Sequence, residues 1–145
     1  MDQENYNLNT KTALLRCNTP STMKFTPDKM DTQAITGAGA GWLAVDGKKF
    51  EHSIVLAYNG LLETWDCPSF AALTETHLQA LSAHDCEVLI LGTGNQSCFV
   101  HPAWLQPFMA RGIGVECMRT DAACRTYNLL ANEGRKVVAA LIVEG

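Results

Sequence analysis

The second half of the chain alternates short apolar runs with amphipathic segments. The apolar runs after Pro68 are EVLILG at residues 87–92, IGVECM at 113–118 and KVVAALIV at 136–143. Continuous apolar runs of this length are typical of strands that are buried on both faces in a parallel sheet. Because helical patterns separate them, we expect parallel strands that are joined by helical crossovers.

Start and stop signals place one helix before the first of these strands and one in each of the two gaps between them. Thr74 is predicted as the N-cap of ETHLQALSAH, and Pro102 suits the first turn of AWLQPFMARG. Pro107 should shorten or kink that second helix. Thr120 is predicted to cap DAACRTYNLLANEG, which Gly134 ends.

The region before Pro68 indicates antiparallel strands. Asp46-Gly47 is the dipeptide that a type I′ hairpin turn favours. After this turn, the residues at 50, 52, 54 and 56 alternate with polar residues at 49, 51 and 53, which predicts one strand with a single buried face. The stretch LLETWDC, from Leu61, predicts a third short strand.

The N-terminal part of the chain carries weaker signals. Residues 1–22 are mostly polar, and we expect a flexible or loosely attached segment ahead of one domain at 23–145. Residues 23–41 are turn-rich, with glycine at 37, 39 and 41. Since these glycines lead into a strand rather than a helix, they do not indicate a dinucleotide-binding loop.

Composition narrows the function classes. The chain has 145 residues, of which 47% are hydrophobic and 18% charged, as in one globular domain with its own core. The net charge of −4 argues against a nucleic-acid partner. No apolar run approaches the ~20 residues of a membrane span. The start, MDQENYNLNTK, carries acidic residues rather than arginines, so we expect a soluble cytoplasmic protein.

Cysteine and histidine spacing indicates no metal site. The six cysteines show no CxxC pair, and the four histidines show no HxxxH pair. With no secretion signal, we expect free thiols, no metal and no cofactor. Cys124, beside Ala122 and Ala123, is predicted to be a buried and inert thiol.

The turn Gly92-Thr93-Gly94 is the leading candidate site. It follows the carboxyl end of a predicted parallel strand, which is the edge where open α/β sheets bind ligands. Glycines let a ligand approach backbone N–H groups that can hold an anion or a carboxylate. Thr120 follows the next strand on the same edge. The structural alternative is a turn in which glycine only completes tight packing, and the residues leave both possibilities open.

Four further side chains fall near this edge in the sequence. Glu116, Arg119, Arg125 and Tyr127 offer a carboxylate, two guanidinium groups and a phenol. Arg125 and Tyr127 lie on different helix faces, so at most one of them should point at the turn. For Arg125, a structural bond to loop carbonyls or to a carboxylate is favoured.

Two motifs resemble those of a known family. Residues 112–141 read GIGVECMRTDAACRTYNLLANEGRKVVAAL, and EVLILGTG precedes them. The spacing of GTG and ACRTYNLL resembles that in uncharacterised archaeal and bacterial proteins, the Mth938-like domain family, which includes the mitochondrial respiratory complex I assembly factor. The likeness runs from about Phe25 to Leu141, through the 37–41 stretch, Gly47, Ser53 and Trp65. The resemblance implies a compact α/β domain and no assigned reaction.

These observations together predict a fold and a class of function. The fold is a single three-layer α/β domain, with a mixed central sheet flanked by helices and an added N-terminal β-hairpin layer. The function is a non-catalytic binding or assembly-type factor, in which the crevice at the GTG turn receives a protein partner or a small anionic ligand. The alternative is a small-molecule enzyme that uses the same crevice, with Glu116 or His101 as the acid or base.

Overall fold

The computed structural model of the chain describes residues 33–144. The predicted segment 1–22, the start of the predicted domain at residue 23, and Cys17 lie outside the described residues. Within residues 33–144 the chain forms eight strands and three α-helices. In chain order these are β1 (Ile35–Gly39), β2 (Trp42–Val45), β3 (Lys48–Phe50), β4 (Ile54–Ala57), β5 (Leu62–Thr64), α1 (Glu75–Leu81), β6 (Val88–Gly92), α2 (Gln106–Ala110), β7 (Gly114–Met118), α3 (Thr120–Asn132) and β8 (Val137–Leu141).

Five strands form a mixed central sheet in the order β5-β4-β8-β6-β7. β6 pairs in parallel with β7 and β8, which confirms the predicted parallel arrangement of the three apolar runs. β4 pairs antiparallel with β8 and β5. β8 is buried at every position, whereas β7 is an edge strand within residues 33–144 and is half-buried or exposed. The prediction that β7 is fully buried is therefore wrong, because it has only one neighbouring strand there.

The two faces of the central sheet carry separate cores. On one face, Leu91 packs with Leu78 of α1 and Phe108 of α2. On the other face, Ile90 packs with Tyr127 of α3 and with Leu43 of the small sheet β1-β2-β3. Alternate residues of a strand point to opposite faces, so β6 serves both cores. The predicted three-layer α/β fold with an added β layer is confirmed.

The small antiparallel sheet contains the predicted hairpin. Asp46 and Gly47 have φ values of 51° and 85°, as a type I′ turn requires, and join β2 to β3. The described part of the stretch predicted as turn-rich, residues 33–41, instead contains β1 and a two-residue turn that leads to β2. Its glycines have a packing reason, because a Cβ on Gly37 would lie 3.3 Å from the Trp42 ring, and one on Gly39 would collide with that ring.

The prediction of one continuous strand after this hairpin is wrong, because the structure has two separate strands, β3 and β4. The chain leaves the small sheet after Phe50 and enters the central sheet at Ile54. Ser53, which the alternating pattern places on the wet face, is buried. Its hydroxyl donates to the Cys67 carbonyl at 2.6 Å and accepts from the Val143 N–H at 2.9 Å. These bonds hold the chain at the point where it changes sheets.

The helix termini follow the predictions in part. Thr74 caps α1 as predicted, and its own N–H donates to Nδ1 of His77 at 3.0 Å. Pro102 opens a 3₁₀ turn, and Pro107 lies in the first turn of the short α2. Thr120 is not the cap of α3 but its first residue, because its hydroxyl bonds to other elements.

Candidate functional site

The turn Gly92-Thr93-Gly94 closes directly against the start of α3. The Gly94 N–H donates to Oγ1 of Thr120 at 2.9 Å, and the Thr120 N–H donates to the Gly94 carbonyl at 3.0 Å. The Thr120 hydroxyl donates in turn to the Ile142 carbonyl at 2.6 Å. One side chain therefore connects the end of β6, the start of α3 and the chain after β8. We name this region the GTG joint, and it consists of the turn, Thr120, Ile142 and Glu144.

The first two residues of the turn are buried inside this joint. A Cβ on Gly92 would lie 2.9 Å from Oγ1 and 3.1 Å from Cα of Thr120, so glycine is needed for the approach of α3. The Thr93 hydroxyl lies 2.6 Å from the Gln96 carbonyl and 3.1 Å from the Met118 carbonyl. Both residues thus organise the protein itself.

Gly94 makes room for a carboxylate that belongs to the chain. Its φ is 95°, and a Cβ here would lie 2.5 Å from the carboxyl carbon of Glu144. That carboxylate accepts from the backbone N–H groups of Asn95 and Phe70, each at 3.3 Å. The sequence predicts a turn that holds an anion, and the carboxylate found beside the turn is the protein's own Glu144.

A pocket of about 210 Å³ opens beside the joint and is named the GTG pocket. Its walls are the β1–β2 turn, the GTG joint and the start of α3, and the lining includes Ala40, Trp42, Asn95, Arg119, Asp121 and Val143. On the rim, Nε of Arg119 donates to Oδ1 of Asp121 at 3.1 Å. This hydrogen bond raises the pKa of Arg119 and lowers that of Asp121. The pocket therefore has a charged rim and an apolar wall.

The pocket brings together three of the residues that the sequence places near this edge, Gly94, Arg119 and Thr120. Gly92 and Thr93 lie beneath it in the joint and do not line it. Two carboxylates and one guanidinium group surround the opening, and that guanidinium group is already paired with Asp121.

The other predicted site residues lie elsewhere. Glu116 is exposed on β7, in register with Ile90, and does not line the pocket. Arg125 is exposed along a separate groove between β1 and α3. Tyr127 is buried in the core, its hydroxyl has no hydrogen-bond partner in the structure as described, and burial raises the pKa of its phenol.

Sequence reasoning missed Glu144 and Trp42 as pocket residues. Glu144 could have been found, because it follows the carboxyl end of a predicted parallel strand, as Thr120 does. Trp42 had no comparable signal. Its place in the pocket depends on the β1–β2 turn, which the sequence did not separate from the surrounding turn-rich stretch.

Neither the thiols nor the acidic residues within the described range form a metal cluster. The five cysteines described are unbridged. Burial raises the pKa of Cys124 to about 12 and that of Cys67 to about 11, so both thiols stay protonated at neutral pH. Among the helices of residues 33–144, none has the length and apolar character to cross a bilayer.

The chain matches a protein family and is similar to several known proteins. The family described as "Protein of unknown function (DUF498/DUF598)" matches residues 35–142. The chain is similar to NADH dehydrogenase [ubiquinone] 1 alpha subcomplex assembly factor 3 of Mus musculus, with 48% identity over 56 residues. That match covers 39% of this chain and only 30% of the mouse protein.

A bacterial relative and a solved structure are covered more fully. The 13 kDa major membrane protein of Francisella tularensis is 30% identical over 95 residues, which are 65% of this chain and 77% of that protein. The solution structure of a Bordetella pertussis protein, described as a Mth938-like domain, has a TM-score of 0.72 and 32% identity. The match covers 85% of this chain and 94% of the Bordetella pertussis protein. These likenesses agree with the family resemblance that the GTG and ACRTYNLL motifs carry.

Proposed function

This chain belongs to the DUF498/DUF598 family of unknown function, and we propose that it is a non-catalytic, assembly-type factor that receives a protein partner at the GTG pocket. The similarity to a mammalian protein named as an assembly factor supports this class of function. The chain matches 30% of that relative's length, so the proposal takes over the kind of role and not the particular complex.

The observation that carries the proposal is that polar groups of the GTG pocket are hydrogen-bonded to other groups of the protein itself. Thr120 accepts from Gly94 and donates to Ile142, so its hydroxyl bonds within the protein. Glu144 accepts two backbone N–H groups in the same way. A pocket whose polar groups hold one another has a fixed shape, which favours recognition of a complementary surface.

The same geometry favours a protein partner over a small anion. Glu144 already accepts from the N–H group of Asn95, and its negative charge would repel a second anion. Arg119, the cation on the rim, is engaged with Asp121. The apolar wall formed by the β1–β2 turn and Trp42 offers contact area that a side chain of a partner can use.

The enzyme alternative has less support. It needs Glu116 or His101 beside the turn as an acid or base, within hydrogen-bond reach of a bound substrate. Neither residue lines the GTG pocket. Nδ1 of His101 accepts from the Ala103 N–H at 3.1 Å, and its ring stacks on Trp104. The bonds of His101 therefore serve the 3₁₀ turn that follows it.

Blocking the pocket tests the proposal. Ala40 is exposed in the β1–β2 turn and lines the pocket, so Ala40→Arg places a long side chain across the opening without disturbing the joint. Ala83→Arg makes the same change at an exposed position after α1, away from the pocket lining. A partner is first captured by cross-linking with the native chain, and its affinity is then measured with purified components.

We expect Ala40→Arg to weaken that affinity at least about ten-fold and Ala83→Arg to leave it unchanged. Equal affinities for the native chain and for a folded Ala40→Arg variant would contradict the proposal. Turnover of a small molecule that Ala40→Arg abolishes would instead favour the enzyme alternative.

A further inference from the structure

The outer edge of β7 presents backbone groups that the described fold does not use. The Gly114 N–H donates to the Glu87 carbonyl, and the Met118 carbonyl accepts from the Thr93 N–H, so both residues direct backbone groups toward β6 and the end of that strand. Backbone groups of a strand alternate in direction, so Val115 and Cys117 direct theirs away from β6. No other strand in residues 33–144 pairs with β7.

Apolar side chains flank this edge on one face of the sheet. Val115 and Cys117 pack on the same core as α1 and α2. Val100 belongs to that core too, and the adjoining Phe99 is 89% exposed. Met109 is 66% exposed on α2, which packs against β7. An added strand would bring the side chains of one of its faces to the same face of the sheet as Val115 and Cys117.

A carboxylate marks the other face of the same edge. Glu116 lies between Val115 and Cys117, is exposed, and points to the face that carries α3, because its register partner Ile90 packs there. No ion pair found within residues 33–144 involves Glu116. The edge thus offers apolar contacts on one face and a single negative charge on the other.

This charge pattern disfavours a second copy of the chain as the occupant. Antiparallel self-pairing in which Val115 faces Cys117 of the copy would set Glu116 directly opposite Glu116 of the copy. Cα atoms of such a pair are about 4.5 Å apart, and like charges placed directly opposite destabilise the pairing. A strand with lysine or arginine at that position would form a favourable pair instead.

We propose that the outer edge of β7 binds an extended segment of a partner polypeptide as an added strand. That segment has apolar residues on the face that Val115 and Cys117 share, and a lysine or arginine opposite Glu116. The inference goes beyond the GTG pocket, because none of the residues that carry it lines that pocket. Either site can therefore fail in its test while the other is retained.

Amide hydrogen exchange and NMR titration of the full chain test this proposal. The probe is the peptide acetyl-TVKVT-amide, and the matched peptide acetyl-TVEVT-amide replaces its lysine by glutamate. In the free chain, the amides of Val115 and Cys117 should exchange much faster than that of Glu116, which points to β6. The lysine peptide should slow both amides and bind about five-fold or more tightly than the glutamate peptide.

Charge reversal supplies the decisive comparison. Glu116→Lys should exchange the preference of the two peptides, whereas Glu133→Lys, the same change at an exposed position after α3, should leave the preference as it is in the native chain. Protected Val115 and Cys117 amides in the free chain would overturn the proposal, since another segment or a copy would already cover the edge. Equal binding of both peptides would overturn it as well.

Discussion

The GTG joint and the edge of β7 are adjacent regions of one sheet with opposite use of their polar groups. In the joint, the backbone groups of Gly94 and the hydroxyl of Thr120 bond within the chain. At the edge, the outward groups of Val115 and Cys117 find no strand partner among residues 33–144. The glycines that stand out in the sequence therefore mark close internal packing, whereas an inconspicuous strand presents the more accessible backbone.

The two regions also use carboxylates differently. Glu144 accepts two backbone N–H groups in the joint, whereas Glu116 is exposed at the edge and has no ion pair among the described residues. Substitutions in the joint should therefore reduce the stability of the fold. Substitutions at the edge should reduce binding and leave the stability almost unchanged.

The largest effect is expected at Gly94. Gly94→Ala adds a Cβ in a left-handed conformation and sets it 2.5 Å from the Glu144 carboxyl carbon. The Glu144 carboxylate must then move away from the Asn95 and Phe70 N–H groups, so we expect the free energy of unfolding, measured in urea, to fall by about 2.5 kcal/mol, of which about 1 is conformational. Gly47→Ala is the matched control, because Gly47 has a φ of 85° and nothing within 4 Å of its Cβ position.

The control should lose only the conformational part, about 1 kcal/mol. The difference between the two variants measures how tightly Glu144 closes on the turn. Gly94→Ala and Glu144→Ala combined should cost less than the sum of the two single losses, since the two residues are in contact. Equal losses at Gly94 and Gly47 would mean that the joint is looser than the geometry indicates.

Thr120→Val should give the next largest effect. Valine keeps the shape of the side chain but removes the hydroxyl that bonds the Gly94 N–H and the Ile142 carbonyl. Losing both bonds in a half-buried place should cost about 2 kcal/mol of unfolding free energy. Thr126 lies in the same helix as Thr120, and Thr126→Val removes only a contact to the sulfur of Met118 in β7. This change should cost under about 1 kcal/mol. A smaller loss for Thr120→Val than for Thr126→Val would contradict the central place given to Thr120.

Alkaline pH offers a third measurement on α3, the helix that begins at the joint. Burial raises the pKa of Cys124 from 9.0 to about 12, so the folded chain retains a proton that the unfolded chain releases. The stabilisation this gives is complete below pH 9.0 and is lost as the pH rises from there to about 12. Between pH 8 and 10, the native chain should lose about 1 kcal/mol more than Cys124→Ser. Parallel stability curves for the two proteins would place Cys124 in contact with solvent.

Local signals in the sequence predicted much of the fold correctly. Asp46-Gly47 predicts its turn because few dipeptides tolerate positive φ at both positions. Thr74 predicts a helix start because its hydroxyl satisfies a backbone N–H in the first turn. The apolar runs of β6 and β8 predict parallel strands for a similar reason, since burial on both faces requires apolar side chains throughout.

Features that depend on distant neighbours were not predictable in the same way. Ser53 interrupts a regular alternation because its hydroxyl bonds Cys67 and Val143, which lie far away in the sequence. The order of strands leaves β7 with one neighbour in the described part of the chain, and no property of IGVECM states that order. The sequence located the GTG turn on the right edge, but not Glu144, which occupies the space beside Gly94.

The smallest effect is expected from Glu116→Gln, and its matched partner is Glu144→Gln. Glu116 is exposed and has no ion pair within residues 33–144, so its change should alter the free energy of unfolding by less than about 0.5 kcal/mol. Glu144→Gln replaces one accepting oxygen by a donor beside Asn95 or Phe70, which should cost about 1 kcal/mol. Urea titrations of both variants compare them directly. A larger loss at Glu116 than at Glu144 would reverse the contrast between joint and edge, because it would make the edge carboxylate part of the fold and leave the joint carboxylate free to meet a partner.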